Sequence, residues 1–347
     1  GLSRGGMTET LPYRWYTDGD VLARERARLF GHAWQYAGHT GQLAEPGSYF
    51  TLRAGDVPLI VVRDREGSLR ALVNVCRHRG AEVVSGEGRC TSLQCHYHAW
   101  TYDLDGSLRK APRSEDDPGF DRSALGLRRA KVDTWGPFLF VNPDPDAAPL
   151  AETLGDLPRI VAEGGLDVDA LRFHQRVDYT LAANWKVAVE NYLECYHCAV
   201  AHPSFSKVID VAPSRYRLES HATFASHFAR SRNGTGGVEG QFHMIWPNIK
   251  VNVMPGRPNL SIGPLVPEEP DRTYGWLDYF FAEDTDPDWI ADYLKLDYQV
   301  GAEDQVLVES VQRGMRAEAF ENGRLLLPSE QLIAEFQRWV GTGLADP

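Results

Sequence analysis

Residues 76 to 98, CRHRGAEVVSGEGRCTSLQCHYH, constrain this chain more than any other stretch. They spell Cys76-x-His78, sixteen intervening residues, then Cys95-x-x-His98. Thiolates hold iron firmly and imidazoles are neutral ligands, so a two-iron cluster with both thiolates on one iron and both imidazoles on the other suits the set. Tetrahedral zinc takes the same four donors. Zinc fingers usually pair Cys with Cys and His with His, whereas each short loop here contributes one of each. That division suits ligands shared between two irons.

The loops are also decorated in a particular way, with Arg79-Gly80 after the first histidine and Tyr97 and Trp100 flanking the second. With these neighbours the stretch resembles the Rieske [2Fe–2S] motif, Cys-x-His-Arg-Gly and Cys-x-x-His. The resemblance implies one [2Fe–2S] cluster held by Cys76, His78, Cys95 and His98.

A chain of 347 residues, 43% hydrophobic and 24% charged, has room for about two domains with real cores. No run approaches the ~18 apolar residues of a membrane span. Lys plus Arg total 36 against 48 for Asp plus Glu, a formal charge of −12, which argues against nucleic acid as a partner. GLSRGG before Met7 reads as a cloning remnant, and the residues after it lack the plan of a signal peptide, so the expected location is cytoplasmic. Beyond the two cluster cysteines, Cys90, Cys195 and Cys198 show no disulfide framework, and Cys195-Tyr196-His197-Cys198 lacks the surroundings of a thioredoxin-type site.

Residues 18–31 set Val21, Leu22, Leu29 and Phe30 at helical spacing, with Asp18 or Asp20 as N-cap and Gly31 as a stop. From 34 to 74 short β-prone runs alternate with turn residues, and 135–142 adds another, so the ligand loops project from a small sheet. Pro143-Asp144-Pro145-Asp146 cannot continue a central strand and reads as a linker. A strand over 171–181 comes next, then a helix opened by Asn184, then β-rich runs at 222–229, 248–254, 258–266 and 272–281. Asp286-Pro287 starts a long helix reaching about Phe320, and 329–340 reads as a final helix. The expected architecture is α+β, with helices packed against an antiparallel sheet.

A second constellation lies in residues 190–202, ENYLECYHCAVAH. Helical spacing puts Asn191, Glu194 and His197 near one face, and Pro203 places His202 just past the helix end, free to turn back. Two histidines and one carboxylate form the facial triad of mononuclear non-haem iron(II). Alone, His-x4-His more often marks core histidines. An electron-transfer motif upstream changes that, because it implies a centre that consumes electrons.

Over nearly its whole length the chain resembles the catalytic α subunit of Rieske non-haem iron oxygenases. The family's Glu-Asn, acidic residue, Tyr-His and later His are matched by Glu190-Asn191, Glu194, Tyr196-His197 and His202. Its third ligand, an Asp ahead of a Glu and Gln-x-Gly, falls on Asp304, before Glu309 and Gln312, with Glu303 as the alternative register. The resemblance implies an all-β Rieske domain at 34–145 and a helix-grip catalytic domain at 146–347, to which the helical segment 1–33 also belongs. It further implies one mononuclear Fe(II) on His197, His202 and Asp304, with Asn191 and Glu194 in catalytic roles. By the same resemblance Glu194 is expected to orient His197 and to bridge to His98 of a neighbour in a homotrimer.

The expected reaction is hydroxylation with dioxygen, by mono- or dioxygenation. No Gly-x-Gly-x-x-Gly, flavin signature or plant-type ferredoxin spacing is present, so a separate reductase of flavin or ferredoxin type supplies electrons from NAD(P)H. His-Cys-x-Val-x-His-Pro-Ser and Trp246-Pro247-Asn248 are most similar to the branch acting on small quaternary ammonium compounds, by hydroxylation or N-demethylation. Strand aromatics such as Tyr216, Phe224, Trp246, Trp276, Tyr279 and Phe281 are candidates to cage the ammonium. They would equally line a pocket for an aromatic acid, which stays as the alternative. A non-catalytic Rieske electron carrier is the reading from another class, but it needs only about 100 residues.

Overall fold

Val57–Arg63, PLIVV within it, is too apolar for a one-sided strand, and it lies near the middle of a sheet in a computed structural model that describes residues 8–234 and 236–346. GLSRGG therefore lies outside the described residues. Among the described residues seven antiparallel strands run in the order Gln35–His39, Phe138–Asn142, Arg129–Trp135, Leu69–Val73, Val57–Arg63, Ser48–Ala54, Glu87–Arg89. Leu59, Val61, Leu139 and Val141 fill one core between them, and Ile60, Val62 and Leu72 face a second core built on the ligand loops. The second loop is carried between the short strands Leu93–Gln94 and Thr101–Tyr102 of a separate three-stranded sheet.

These elements belong to one compact unit, Arg26–Leu150; residues up to Glu25 and from Ala151 onward form another. The first boundary, expected before residue 34, comes earlier because the backbone of 30–32 is tied into the sheet. Gln35 Nε2 donates to the Phe30 carbonyl (2.8 Å) and Asn142 Nδ2 to that of His32 (3.2 Å). Gly55, at φ +53°, lets the turn approach so closely that a Cβ there would stand 2.8 Å from the Phe30 carbonyl carbon.

In the other unit the sheet order is Leu171–Leu181, Arg272–Ala282, Asn259–Glu269, Ile249–Val253, Gly240–Ile245, Phe224–Ala229, Arg217–Ser220, all antiparallel. The strands Gly240–Ile245 and Arg217–Ser220 escape a sequence reading, the first because GTGGVEG precedes it and the second because it is polar. The expected helices appear as Trp185–Tyr192, Pro287–Arg316 and Gln331–Leu344. Asn184 caps the first by accepting from Lys186 N (3.0 Å), and Asp286 caps the second by accepting from Asp288 N (2.9 Å). Near the N-terminus the helix is Gly19–Arg28, capped by Asp18, whose Oδ1 accepts from Asp20 N.

The helix Trp185–Tyr192 is pinned by polar contacts that its apolar neighbours leave no water to replace. Lys186 and Glu25, both fully buried, pair at 2.7 Å, and Trp185 Nε1 donates to the same carboxylate. Removing either partner of such a pair strands a charge, at roughly 3–5 kcal/mol. Gln312 of the long helix accepts from Asn184 N (2.9 Å), which locks the two helices in register where functional side chains leave both. Among the described residues no helix is long and apolar enough to cross a membrane. The fold class is the expected α+β.

Candidate metal centres and active site

The two loops of the first constellation turn alike. In each, the residue four positions after the cysteine donates its N–H to the cysteine carbonyl: Gly80 to Cys76 and Ala99 to Cys95, both 3.0 Å. Both turn residues are left-handed, Gly80 at φ +83° and Ala99 at φ +60°; glycine takes this freely, and alanine only under constraint. Cys76 and Cys95 are buried free thiols, whereas the rings of His78 and His98 lie exposed with their Nδ1 atoms 3.1 Å apart. Thiols inside and imidazole edges outside, converging and not crosslinked, fit a two-iron cluster with its histidine-bound iron outward. Trp100 stacks on His78 at 4.9 Å, fixing its plane. Tyr102 Oη accepts from Arg77 N and stands 3.2 Å from Cys76 Sγ. Burial and that sulfur raise the phenol's pKa, so the hydroxyl keeps its proton to donate to sulfur.

The second constellation departs from the expected continuous helix. Trp185–Tyr192 ends, residues 193–197 turn, and a short helix, Cys198–Ala201, comes after. Asn191, Glu194 and His197 therefore share no helix face. Glu194 starts the turn by accepting His197 N at 3.2 Å, and Cys195 and Cys198 are joined as a disulfide across it, with Cα atoms 4.9 Å apart. This overturns the expectation of no disulfide; a three-residue separation closes here because the chain leaves helical geometry. His202, ahead of Pro203, has φ −123° and ψ 67°, which aims its ring back at His197.

His197 Nε2, His202 Nε2 and Asp304 Oδ1 form a triangle with sides of 3.1, 2.9 and 3.3 Å. Ligands about 2.1 Å from one ion and at right angles to each other stand about 3 Å apart, so the triangle has the size of a facial ligand set. The remote ring nitrogens are occupied: His197 Nδ1 by Glu194 Oε1 (2.5 Å) and His202 Nδ1 by Glu303 Oε1 (3.3 Å). A carboxylate there accepts a hydrogen bond from Nδ1–H and leaves the lone pair on each Nε2, pointing into the triangle. Burial opposes charge on His197, yet Asp304 and Glu194 outweigh it and raise its pKa to about 9; burial also pushes Asp304 up, and the imidazoles reverse this to about 2. Such a concentration of charge and lone pairs fits a divalent cation.

A cavity of about 400 Å³ opens on this triangle. Of the aromatic residues singled out in the sequence, Tyr216 and Tyr279 line it; Phe224, Trp246, Trp276 and Phe281 pack elsewhere. Asn191 is on its wall, as are Tyr179, Tyr192, Tyr293, Lys250 and Asp297, which sequence reasoning missed. Lys250 carried a signal: a charged side chain at every-other spacing with Asn252 inside an otherwise aliphatic strand.

Residues 33–128 match the Rieske [2Fe-2S] domain family, and residues 168–345 match the ring hydroxylating alpha subunit (catalytic domain) family. The chain is a Rieske oxygenase α subunit. Among its relatives is the chloroplastic choline monooxygenase of Amaranthus tricolor, 33% identical over 95% of this chain and 77% of the relative. Another is the carnitine monooxygenase oxygenase subunit of Escherichia coli (strain K12), 32% identical over 92% of this chain and 88% of the relative. The crystal structure of the quaternary ammonium Rieske monooxygenase CntA in complex with L-carnitine superposes with a TM-score of 0.87 at 29% identity, covering 99% of this chain and 97% of that one.

As a Rieske oxygenase α subunit, the protein is an oxidoreductase whose cofactors are a Rieske [2Fe–2S] cluster and a mononuclear iron. It is the oxygenase component of a system in which a partner delivers electrons. Both donor sets described above suit the group that the family carries. That rules out zinc as the reading of the first constellation and a bare electron carrier as the reading of the chain.

Proposed function

We propose that this oxygenase acts on a small quaternary ammonium compound, hydroxylating it or removing an N-methyl group, with His197, His202 and Asp304 as iron ligands. The observation that carries the reading is the composition of the cavity wall. Asp297 presents a carboxylate that accepts from Tyr279 Oη at 2.5 Å, and the rings of Tyr293 and Tyr298 stand 6.1 and 6.3 Å from that of Tyr279. Aromatic faces around a carboxylate attract a cation too bulky to form hydrogen bonds, which is what a tetraalkylammonium is. The names of the relatives, choline and carnitine monooxygenases, agree with this.

Mononuclear iron(II), when bound, activates dioxygen for insertion into a C–H bond. The protein's part is to hold the ammonium so that one N-methyl or neighbouring carbon faces the triangle. Glu194 and Glu303 keep the two imidazoles in the tautomer that turns Nε2 inward. A methyl hydroxylated on such a nitrogen collapses to formaldehyde and the demethylated amine.

Cys76, Cys95, His78 and His98 are read as the cluster ligands, fed by a flavin- or ferredoxin-type NAD(P)H reductase. Glu194 is read as the bridge from His197 to His98 of a neighbouring subunit in a homotrimer, working in the cytoplasm. The structure of a quaternary ammonium Rieske monooxygenase, 30% identical to this chain, gave insights into inter-subunit electron transfer in that protein, which favours this route. Oxygen uptake with a borrowed reductase, screened over trimethylammonium compounds and aromatic acids, tests the substrate class. Formaldehyde or hydroxylated product from the former is expected; turnover of aromatic acids alone overturns the reading.

A further inference from the structure

Two lysines lie deep in the catalytic unit, and only one is neutralised. Lys186 has Glu25 at 2.7 Å. Lys250 has no carboxylate within ion-pair distance among the described residues, although it lines the cavity at the triad. Its strand, Ile249–Val253, alternates so that Ile249, Val251 and Val253 are buried while Lys250 and Asn252 take the cavity side. The ammonium stands 5.2 Å from the centre of the Tyr179 ring and 5.7 Å from that of Tyr192. Burial works against its charge, but Tyr179 and Asp297 outweigh burial and raise its pKa, so the side chain is a cation at neutral pH.

A second donor waits beside it. The Tyr179 hydroxyl is buried, lines the same cavity beside the Lys250 ammonium and has no acceptor for its proton among the described residues. The ring is held in place by its cross-strand partner Gly275, where a Cβ would stand 2.5 Å from it. The phenol oxygen lies toward the ammonium, which leaves the phenol proton without an acceptor and the ammonium without a carboxylate; both are costly to leave dry, and an anion removes both penalties at once.

The remaining charge of the cavity completes the pattern. Asp297, from the helix Pro287–Arg316, lines the same space but is not paired with Lys250. A cationic alcohol such as choline would answer Asp297 and leave Lys250 and Tyr179 without a partner. A zwitterion answers both.

From this we infer that Lys250, together with the Tyr179 hydroxyl, anchors a substrate carboxylate, so that the preferred substrates are betaine-type quaternary ammonium compounds that carry a carboxylate. The inference rests on the quaternary ammonium reading above and narrows it. Sites built to bond a polar group discriminate strongly against analogues lacking it, because their own groups are then left unpaired.

Calorimetric dissociation constants for L-carnitine, γ-butyrobetaine and choline, measured on the holoenzyme, test it. The wild type is expected to bind both carboxylates at least about 10-fold more tightly than choline. Lys250→Met should collapse that ratio by about 10- to 100-fold, Lys250→Arg should keep most of it, and Tyr179→Phe should reduce it by a smaller factor. Unchanged circular dichroism and an unchanged mononuclear iron content report that the catalytic unit of each variant is folded. Equal weakening of all three ligands in Lys250→Met, or a wild type that prefers choline, overturns the assignment while the quaternary ammonium reading stands. A wild type that binds none of the three but consumes oxygen with aromatic acids overturns that reading and this assignment together.

Discussion

Glu303 and Asp304, consecutive in the chain, hold opposite nitrogens of one imidazole: Glu303 Oε1 lies 3.3 Å from His202 Nδ1, and Asp304 Oδ1 lies 2.9 Å from Nε2. Two acidic residues that a sequence cannot tell apart are thereby given different work. Asp304→Ala is expected to lose the mononuclear iron and all turnover while keeping the visible cluster spectrum. Glu303→Gln should retain iron with about 10- to 100-fold weaker affinity, as variants of groups behind a metal ligand commonly do. Iron analysis of the two variants checks this, and full iron in Asp304→Ala would end the ligand assignment.

Glu194 bonds both the N–H and the Nδ1 of His197. If it also carries electrons onward between subunits, Glu194→Ala keeps both metal centres and a chemically reduced cluster stays reduced in air with substrate present. Stopped-flow absorbance follows the cluster directly. Reoxidation at the wild-type rate rejects the bridge.

Tyr102 sets the cluster's surroundings through its contact with Cys76 Sγ. A hydrogen bond to a cluster sulfur favours the reduced form by drawing charge from it. Tyr102→Phe should lower the midpoint potential by on the order of tens of millivolts. Redox titration of the cluster spectrum measures it, and a potential that stays or rises contradicts the role.

Glu190, behind the triad-bearing turn, sits in a buried network. It accepts from Tyr16 Oη (2.6 Å) and Gln337 Nε2 (2.8 Å), with Lys186 and Glu330 the nearby charges. Burial raises its pKa from an ordinary 4.5 to about 7, against the pull of those hydrogen bonds and of Lys186. The folded protein therefore holds this proton more tightly than the unfolded chain does. Its contribution to stability is full below about pH 4.5 and is lost as pH rises through 7, by at most on the order of 3 kcal/mol. Glu190→Gln removes the dependence, so the melting temperature of the variant should gain several degrees on the wild type between pH 5 and pH 8. Parallel melting curves at all pH values would refute the shift.

The cluster loops were legible in the sequence because their four donors fall within one short stretch and each donor's neighbours are distinctive. His197 and His202 took their meaning from that upstream motif, since His-x4-His alone more often marks core histidines. Asp304 was reachable only through family resemblance, since a hundred residues of chain separate it from its partners. The break after Tyr192 was hidden because three-residue spacing continues through Glu194 and His197 whether or not the backbone stays helical. The cavity was read least well. In a strand such as Phe224–Ala229, nearly all buried, alternation says that two sides exist but not which one faces the cavity, so aromatic residues there gave no bearing. Lys250 stood out chemically, yet its meaning depends on Tyr179 and Asp297, which only the folded sheet and long helix bring to the same space.

The walls of that cavity have different origins. His197 and His202 flank the short helix Cys198–Ala201 and Asp304 comes from the long helix, whereas Lys250 and Tyr179 come from strands. On the proposed assignments the long helix serves two ends of the site, Asp304 toward the metal and Asp297 toward the substrate ammonium, while the carboxylate anchor is written into the strands alone. A lineage of such enzymes can exchange one strand side chain for another and acquire a new diet of substrates, with the turn and long helix that would keep its iron left as inherited.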